Sequence, residues 1–291
     1  MHIPRQLEQA LDEIGDLPAL PAVAREVMQL TEDPAMEVSD LCHVMEKDPA
    51  LTAKILRISN SPYYGMRQSV GTLKLALVIL GVREVRNIIL GISVIEALRD
   101  EKTEALLGPD FWIHSMQAAS LARRLATRFR LVMQGEAFVA GLLHDIGKLV
   151  FGRYFAKRYG TIYRGAKSDP EQLCSLETDA FGFSHAELGA ALGTRWNFPQ
   201  ALTDGLLFHH PRPDLRLDQA KDPQLAAVVR LANRMARIRP EESETQQREK
   251  SEEPEAWAQF GSQLPSLTDQ DRQSLVTELI LDLNGSPLPI F

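Results

Sequence analysis

Apolar residues recur along this chain at the three- and four-residue spacing of helices that bury one face. Two clear runs of this kind are Leu51, Ile55, Leu56 and Ile58, and Val85, Ile88, Ile89 and Ile92. No stretch alternates convincingly between apolar and polar residues, as a half-buried strand would. The pattern therefore predicts an all-α protein.

The dipeptide Asp-Pro punctuates this helical pattern. Aspartate at an N-cap accepts a hydrogen bond from the first helical turn, and proline suits the first helical position. The dipeptide occurs at Asp33-Pro34, Asp48-Pro49, Asp169-Pro170 and Asp222-Pro223. A capping box of Ser184 and Glu187 predicts a further helix that starts at His185.

The pattern predicts two packed helical subdomains followed by a C-terminal helix. Residues 1–105 hold short helices, and residues 106–238 hold a second helical set with most of the histidines. Residues 239–255 have no aliphatic or aromatic side chain and carry seven acids against three bases, which favours an acidic linker or flexible loop. Residues 256–291 form the tail, in which Ser266–Leu283 predicts one amphipathic helix that docks on the body.

Composition and charge narrow the class of protein. The chain has 291 residues, 44% of them hydrophobic, so its core needs neither a disulfide nor a metal for folding. A net charge of −7 argues against nucleic acid as a partner. Cys42 and Cys174 stand far apart without a CxxC partner, and no apolar run is long enough to cross a bilayer. We therefore expect a cytoplasmic protein with no membrane segment.

Five of the seven histidines lie within fewer than a hundred residues, and helical spacing turns them toward the core. Together with the aspartate beside one of them, the candidate metal ligands are His114, His144, Asp145, His185, His209 and His210. Imidazole and carboxylate together suit a divalent metal such as iron, manganese or zinc. A single inward histidine is more often an ordinary core residue, and periodicity alone leaves metal occupancy open.

Several strings resemble the HD-domain phosphohydrolase superfamily, specifically its HDOD branch. They are LPALPAVAREVMQL from Leu17, DPALTAKILRISNSPYYG from Asp48, ALVILGVREVRNIILG from Ala76, GLLHDIGKLVF from Gly141, and the Trp196 and His209-His210-Pro211 region. The resemblance covers about residues 14 to 238. It implies an all-helical bacterial signalling or regulatory protein whose second subdomain is an HD-like helical bundle.

The resemblance also assigns roles to the candidate ligands. His114 matches the first histidine of HD enzymes, and His144 with Asp145 matches the His-Asp pair that names them. His185 and the pair His209-His210 match the additional histidines of the two-metal HD-GYP phosphodiesterases. In an active enzyme, Asp145 and Lys148 would be the catalytic candidates, with Lys148 contacting phosphate. The alternative for Lys148 is a helix-end lysine that reaches solvent.

Two departures weaken the resemblance to active enzymes. HD enzymes close their metal site with an aspartate on a later helix, where this chain has Asn233. An amide lacks the charge of a carboxylate, so metal binding there is weakened. Pro211 and Arg212 follow the histidine pair, so the GYP signature of the cyclic-dinucleotide enzymes is missing.

These features favour a non-catalytic signalling module that binds a protein partner and keeps part of the metal pocket. The alternative is a metal-dependent phosphohydrolase or phosphodiesterase that acts on a nucleotide or cyclic dinucleotide; an iron-based redox or oxygen sensor is a lesser possibility. Ten bases and two acids lie between Leu121 and Lys167. That stretch could attract a nucleotide or phosphate ligand, or it could form ordinary solvated helix faces.

Overall fold

The computed structural model describes residues 5–15, 17–61, 64–66, 68–166, 172–239, 241–261 and 268–285. Within these ranges the fold is all-α, as the periodicity predicts, with no strand and a single isolated bridge between Arg212 and Leu215. No helix in the described ranges combines the length and the apolar character that crossing a membrane requires.

The helices are α1 Arg5–Ile14, α2 Ala22–Leu30, α3 Val38–Met45, α4 Pro49–Ser59, α5 Leu73–Leu80, α6 Val82–Leu98, α7 Glu101–Leu107, α8 Asp110–Arg128, α9 Gln134–Leu143, α10 Ile146–Tyr154, α11 Ala156–Gly165, α12 Leu173–Phe181, α13 His185–Arg195, α14 Gln200–Leu207, α15 Pro223–Met235, α16 Glu244–Ser251, α17 Pro254–Ala258 and α18 Asp269–Gly285. A short 3-10 helix, Leu217–Gln219, precedes α15.

Local capping explains several helix starts. The carboxylates of Asp48 and Asp222 accept hydrogen bonds from Leu51 N and Leu225 N at the starts of α4 and α15. Ser184 caps α13 through the predicted capping box. Asp33 instead lies in a turn, where its carboxylate accepts a hydrogen bond from Ala35 N. Asp169-Pro170 lies outside the described residues.

The chain divides into two compact units, and their limits differ from the predicted subdomains 1–105 and 106–238. One unit comprises residues 19–97 together with the chain from residue 282, and the other comprises the chain up to Pro18 together with residues 98–281. The N-terminal helix α1 therefore belongs to the unit that carries the histidines. One bond inside this unit, from Trp196 Nε1 to Pro18 O at 3.0 Å, joins positions far apart in sequence.

The smaller unit has its own apolar core. Its buried members include Val27, Leu41, Ile55, Val85 and Ile89, which come from α2, α3, α4 and α6. The periodic residues that predicted helices in this region are therefore the residues that pack together.

The larger unit is built around α8 and α9, which pack closely. A Cβ atom on Gly141 would lie 2.8 Å from Ala118 O, so only glycine permits this approach. Helices α10, α13, α14 and α15 complete the bundle around them, and ten of the thirteen residues of α15 are buried. This bundle positions the candidate site.

The described part of residues 239–255 is mostly helical, so the prediction of a flexible loop is wrong. Ser243 and Gln246 form a capping box that starts α16, and α17 follows directly. Gln247, Ser251 and Glu253 are buried. The composition of the segment shows its excess of acids but not their partners. Arginines of α15, which lie outside the segment, supply the opposite charges.

The pairing with α15 is specific. Arg230, fully buried, donates to Phe208 O and pairs with Glu255 at 2.8 Å. Arg234 pairs with Glu253 at 3.2 Å and donates to Lys250 O.

Helix α18 covers most of the predicted amphipathic segment and buries Leu275, Val276, Leu279, Ile280 and Leu283.

Candidate metal centre

The six predicted ligands meet where five helices of the larger unit converge. His114 lies within α8, His144 follows α9, Asp145 precedes α10, His185 begins α13, and His209 and His210 follow α14. Five of them are at most 4% exposed, whereas the side chain of His114 is 19% exposed. The centre is thus buried, with its more open side at His114.

The junction of α9 and α10 explains why His144 and Asp145 share a site. Each of these two residues lies at the boundary of its helix, so the chain turns between them. Gly147, in the first turn of α10, lies against the backbone of His185: a Cβ atom there would be 2.0 Å from His185 O. Only glycine allows this contact, which brings the start of α10, and Asp145 with it, to the start of α13.

Asp145 is the centre of the cluster. Its Oδ1 lies 3.1 Å from His185 Nε2 and 3.5 Å from His209 Nε2. Its Oδ2 lies 2.6 Å from Lys148 Nζ, 3.3 Å from His144 Nε2 and 3.9 Å from His114 Nε2. One carboxylate therefore faces all but one of the predicted ligand side chains.

Three histidines are anchored through Nδ1 and direct Nε2 toward Asp145. His144 Nδ1 donates to Gly141 O at 2.7 Å, and His209 Nδ1 donates to Leu206 O at 2.6 Å. His185 Nδ1 donates to Glu177 Oε2 at 2.6 Å. An oxygen acceptor on one ring nitrogen sets the tautomer and orientation that metal-binding histidines need, with the other nitrogen free to bind.

Unpartnered polar atoms also collect at this centre. Among the buried side-chain atoms of the described residues that make no hydrogen bond of acceptable geometry are His144 Nε2, Asp145 Oδ1 and His210 Nε2. Buried polar groups without partners are costly, so their concentration at one point calls for an explanation. A cation bound beside Asp145 would satisfy its carboxylate oxygen together with an imidazole nitrogen of the same ligand group.

Two possible ligand groups share Asp145. One joins Asp145 to His185, His209 and His210, and the other joins it to His114 and His144. Within each group the donor atoms lie within 4.8 Å of one another. Imidazole nitrogens with one carboxylate suit zinc, iron or manganese, so the residues present fit a divalent metal.

Burial keeps three of the imidazoles neutral. It lowers the pKa of His209 to about 3. Burial, together with the neighbouring His144, also holds the pKa of His114 well below its ordinary value, and burial with the neighbouring His209 does the same for His210. Neutral imidazole is the form that binds metal, so none of these three rings is blocked by a second proton at neutral pH.

The pKa values of His185 and Asp145 are shifted toward the charged form of each group. Burial alone would lower the pKa of His185, but the carboxylate of Glu177 outweighs it and raises that pKa well above its ordinary value. Burial would raise the pKa of Asp145, but His144 and Lys148 outweigh it and hold that pKa well below its usual range. Asp145 is therefore ionised and can act as an anionic ligand.

Asn233 lies at the open side of the centre, on α15. Its Oδ1 accepts a hydrogen bond from His114 Nε2 at 3.0 Å, and its Nδ2 donates to His209 O at 3.3 Å. Arg237 donates to the same Oδ1 at 3.4 Å. The amide therefore contacts the first predicted ligand, at the helix position where HD enzymes are expected to place a carboxylate.

Lys148 does not reach solvent. Its side chain is 8% exposed and its ammonium group pairs with Asp145, so the ammonium belongs to the centre. Elsewhere in the basic stretch, Arg158 donates to Ala180 O and stacks on Phe181. Lys167 lies outside the described residues.

Sequence reasoning missed Glu177. This fully buried residue of α12 accepts hydrogen bonds from both His185 N and His185 Nδ1, and its other oxygen accepts one from Tyr159 at 3.1 Å. Cys174 Sγ lies 3.9 Å from His185 Nδ1 in the same cluster. Its position in the sequence could have indicated a buried carboxylate, because Glu177 stands four residues from both Leu173 and Phe181 on the apolar face of its helix.

Comparison with known proteins supports this fold and shows the family. The HDOD domain model matches residues 17–212. An HDOD domain protein of unknown function from Geobacter sulfurreducens has a similar structure, with a TM-score of 0.73 at 21% identity over 97% of this chain and 98% of that one. A candidate phosphohydrolase from Shewanella amazonensis SB2B matches with a TM-score of 0.69 at 24% identity, over 95% of this chain and 98% of that one.

An uncharacterised protein of Treponema pallidum is 27% identical over 209 residues. The match covers 69% of this chain but only 39% of the Treponema protein. The structural neighbours share the all-α fold, and the family model covers well over half of this chain. The chain belongs to the HDOD domain family.

Proposed function

We propose that this chain is a bacterial signal-transduction protein that binds a divalent metal at the His-Asp centre and acts on a protein partner without catalysis. One observation carries the metal half of this proposal. His144, His185 and His209 are each anchored through Nδ1, and their Nε2 atoms converge on the buried carboxylate of Asp145. An ordinary core histidine needs no such arrangement.

The surroundings of Asp145 support a role other than catalysis. In a metal-dependent phosphohydrolase, the metal would activate water and offset charge on the phosphoryl group. Here the ammonium of Lys148 is paired with Asp145 rather than free for a substrate phosphate. The open side also carries the amide of Asn233 in place of an anionic ligand.

An exposed apolar face supports a partner role. On α5, Leu75, Val78 and Ile79 are 39%, 68% and 45% exposed, and the three- and four-residue spacing places them on one side of the helix. Clustered apolar side chains at a surface are typical of interaction sites. We infer a signalling protein as the partner and the cytoplasm as the compartment.

The alternative function is a phosphohydrolase or phosphodiesterase that acts on a nucleotide or cyclic dinucleotide. The partial exposure of His114 favours it, because a substrate could reach the centre from that side. Arg237 lies next to Asn233 at the same opening and could hold a phosphate.

Elemental analysis of protein purified without chelator tests the proposal. We expect bound zinc, iron or manganese that is lost in the double variant His185→Ala, Asp145→Ala and kept in His43→Ala, whose exposed histidine lies in the other unit. We also expect no turnover of bis(p-nitrophenyl) phosphate with added Mn²⁺. Metal-free protein that binds none on titration would refute the proposal, and turnover abolished by the double variant would establish the alternative.

A further inference from the structure

The two oxygens of Asp145 have different surroundings. Oδ2 is taken by the ammonium of Lys148 at 2.6 Å, with His144 Nε2 at 3.3 Å. Oδ1 faces His185 and His209 and makes no hydrogen bond of acceptable geometry to any described residue. Of the two ligand groups that share this carboxylate, one therefore already has a lysine ammonium bound to its oxygen, whereas the other has only imidazoles around its oxygen.

On the Oδ2 side, His114 is engaged elsewhere. The orientation of the Asn233 amide is set by its bond to His209 O, so Oδ1 of the amide faces the imidazole and accepts from it. Arg237 donates to the same oxygen, which identifies it as the acceptor. His114 Nε2 thus carries a hydrogen and has no lone pair for a metal.

The charges on this side act against a second metal. A divalent ion bound by His114, His144 and Asp145 would lie beside the ammonium of Lys148, which already pairs with the same carboxylate oxygen. Like charges this close repel strongly in a buried site. Asn233 adds no negative charge to offset the repulsion.

The Oδ1 side has the opposite character. His185 Nε2 and His209 Nε2 lie 3.2 Å apart, so either a proton or a cation must separate their lone pairs. His210 Nε2 is buried and unpartnered within the described structure. With Asp145 Oδ1 these atoms make a set of three nitrogens and one oxygen, which is a complete ligand set for zinc.

We propose that the centre binds one metal ion, through Asp145, His185, His209 and His210, and that Lys148 with Asn233 fills the position of a second ion. This inference rests on the proposed metal-binding function. It turns a site that resembles a two-metal centre into a one-metal site in which a lysine replaces the other cation.

Zn²⁺ titration of the metal-free full chain, followed by elemental analysis after gel filtration, tests this assignment. We expect one ion per chain in the natural protein and in His114→Gln, and none in His210→Gln or His209→Gln. Glutamine keeps a polar side chain of similar reach, and circular dichroism with the thermal midpoint shows whether each variant is folded. If one of these two variants does not fold, the metal content of the other tests the assignment.

The double variant Asn233→Asp, Lys148→Gln is the positive test. It restores a carboxylate and removes the ammonium, so we expect the stoichiometry to rise to two ions per chain. A stoichiometry that stays at one would overturn the assignment of these residues to the second position. Two ions in the natural protein would overturn the one-metal assignment, and loss of the single ion in His114→Gln would overturn the choice of ligands. Either result would leave the proposed metal binding of the natural protein in place. No binding in the natural protein would instead contradict the proposed function itself.

Discussion

At the scale of single residues, the outer contacts of the histidines decide what the centre can bind. His185 shows this clearly, since Glu177 holds both its backbone nitrogen and its Nδ1, and Tyr159 in turn donates to Glu177. A carboxylate behind a histidine makes the imidazole a stronger ligand and limits its rotation. Glu177 is thus a positioning residue that does not itself face Asp145.

Replacing Glu177 with Gln is expected to weaken metal binding by about 10- to 100-fold, because the uncharged amide no longer strengthens His185 as a ligand. Competition against a fluorescent zinc chelator measures the change. Tyr159→Phe is the matched variant, since it removes only the hydroxyl that donates to Glu177, and its effect should be smaller. An unchanged Kd in folded Glu177→Gln would show that this carboxylate serves folding alone.

At the scale of helices, close packing through glycines brings the ligands together. Gly147 allows the start of α10 to lie against His185 O, and Gly141 allows α9 to approach α8. Both contacts involve backbone atoms, which cannot rotate away as a flexible side chain can. The ligand geometry therefore depends on residues that carry no chemistry of their own.

Gly147→Ala is expected to lower the free energy of unfolding by about 2 kcal/mol or more, because its Cβ forces α10 and α13 apart. Gly165→Ala offers the matched control. Gly165 is also helical but has no neighbouring atom within 4 Å of an added Cβ, so alanine there should stabilise the helix by up to about 1 kcal/mol. Urea unfolding of both variants measures the difference, and equal effects would contradict the packing argument.

Helices α16 and α17 contribute to the bundle through the arginines of α15. Glu255 neutralises the buried Arg230, whose Nε donates to Phe208 O just before His209. Without Glu255, the guanidinium of Arg230 would keep its hydrogen bond to Phe208 O but lose its ion pair.

We expect Glu255→Ala to cost about 1–3 kcal/mol of unfolding free energy, because a buried charged donor is left unsatisfied. Glu252→Ala, at an exposed position in the same acidic stretch, should change it by less than about 0.5 kcal/mol. Thermal unfolding of the two variants side by side measures this. If the two variants unfold at similar temperatures, the ion pair between Glu255 and Arg230 does not stabilise the fold.

At the scale of the whole molecule, the two units have separate cores and only one holds the candidate centre. The core of residues 19–97 contains no candidate ligand, whereas all six belong to residues 98–281. A ligand that binds only the folded state stabilises the cooperative unit that contains its site.

Saturating Zn²⁺ is therefore expected to raise the unfolding temperature of the unit of residues 98–281, by an amount equivalent to about 2.7 kcal/mol at a concentration 100 times Kd. Differential scanning calorimetry with and without metal measures the shift. Val27→Ala, in the other core, identifies which transition belongs to residues 19–97. A shift confined to the transition that Val27→Ala lowers would contradict the placement of the metal.

The amino-acid sequence by itself determined the all-α class, several helix starts, the family resemblance and the set of candidate ligands. These follow from interactions within a few residues, such as the caps at Asp48, Asp222 and Ser184. Only the tertiary structure decided that α1 joins the larger unit and that the acidic segment contains α16 and the start of α17. It also decided that Glu177 accepts a hydrogen bond from His185 and that Asn233 accepts one from His114, 119 positions away. Such partners are selected by packing between helices, which no local pattern of residues encodes.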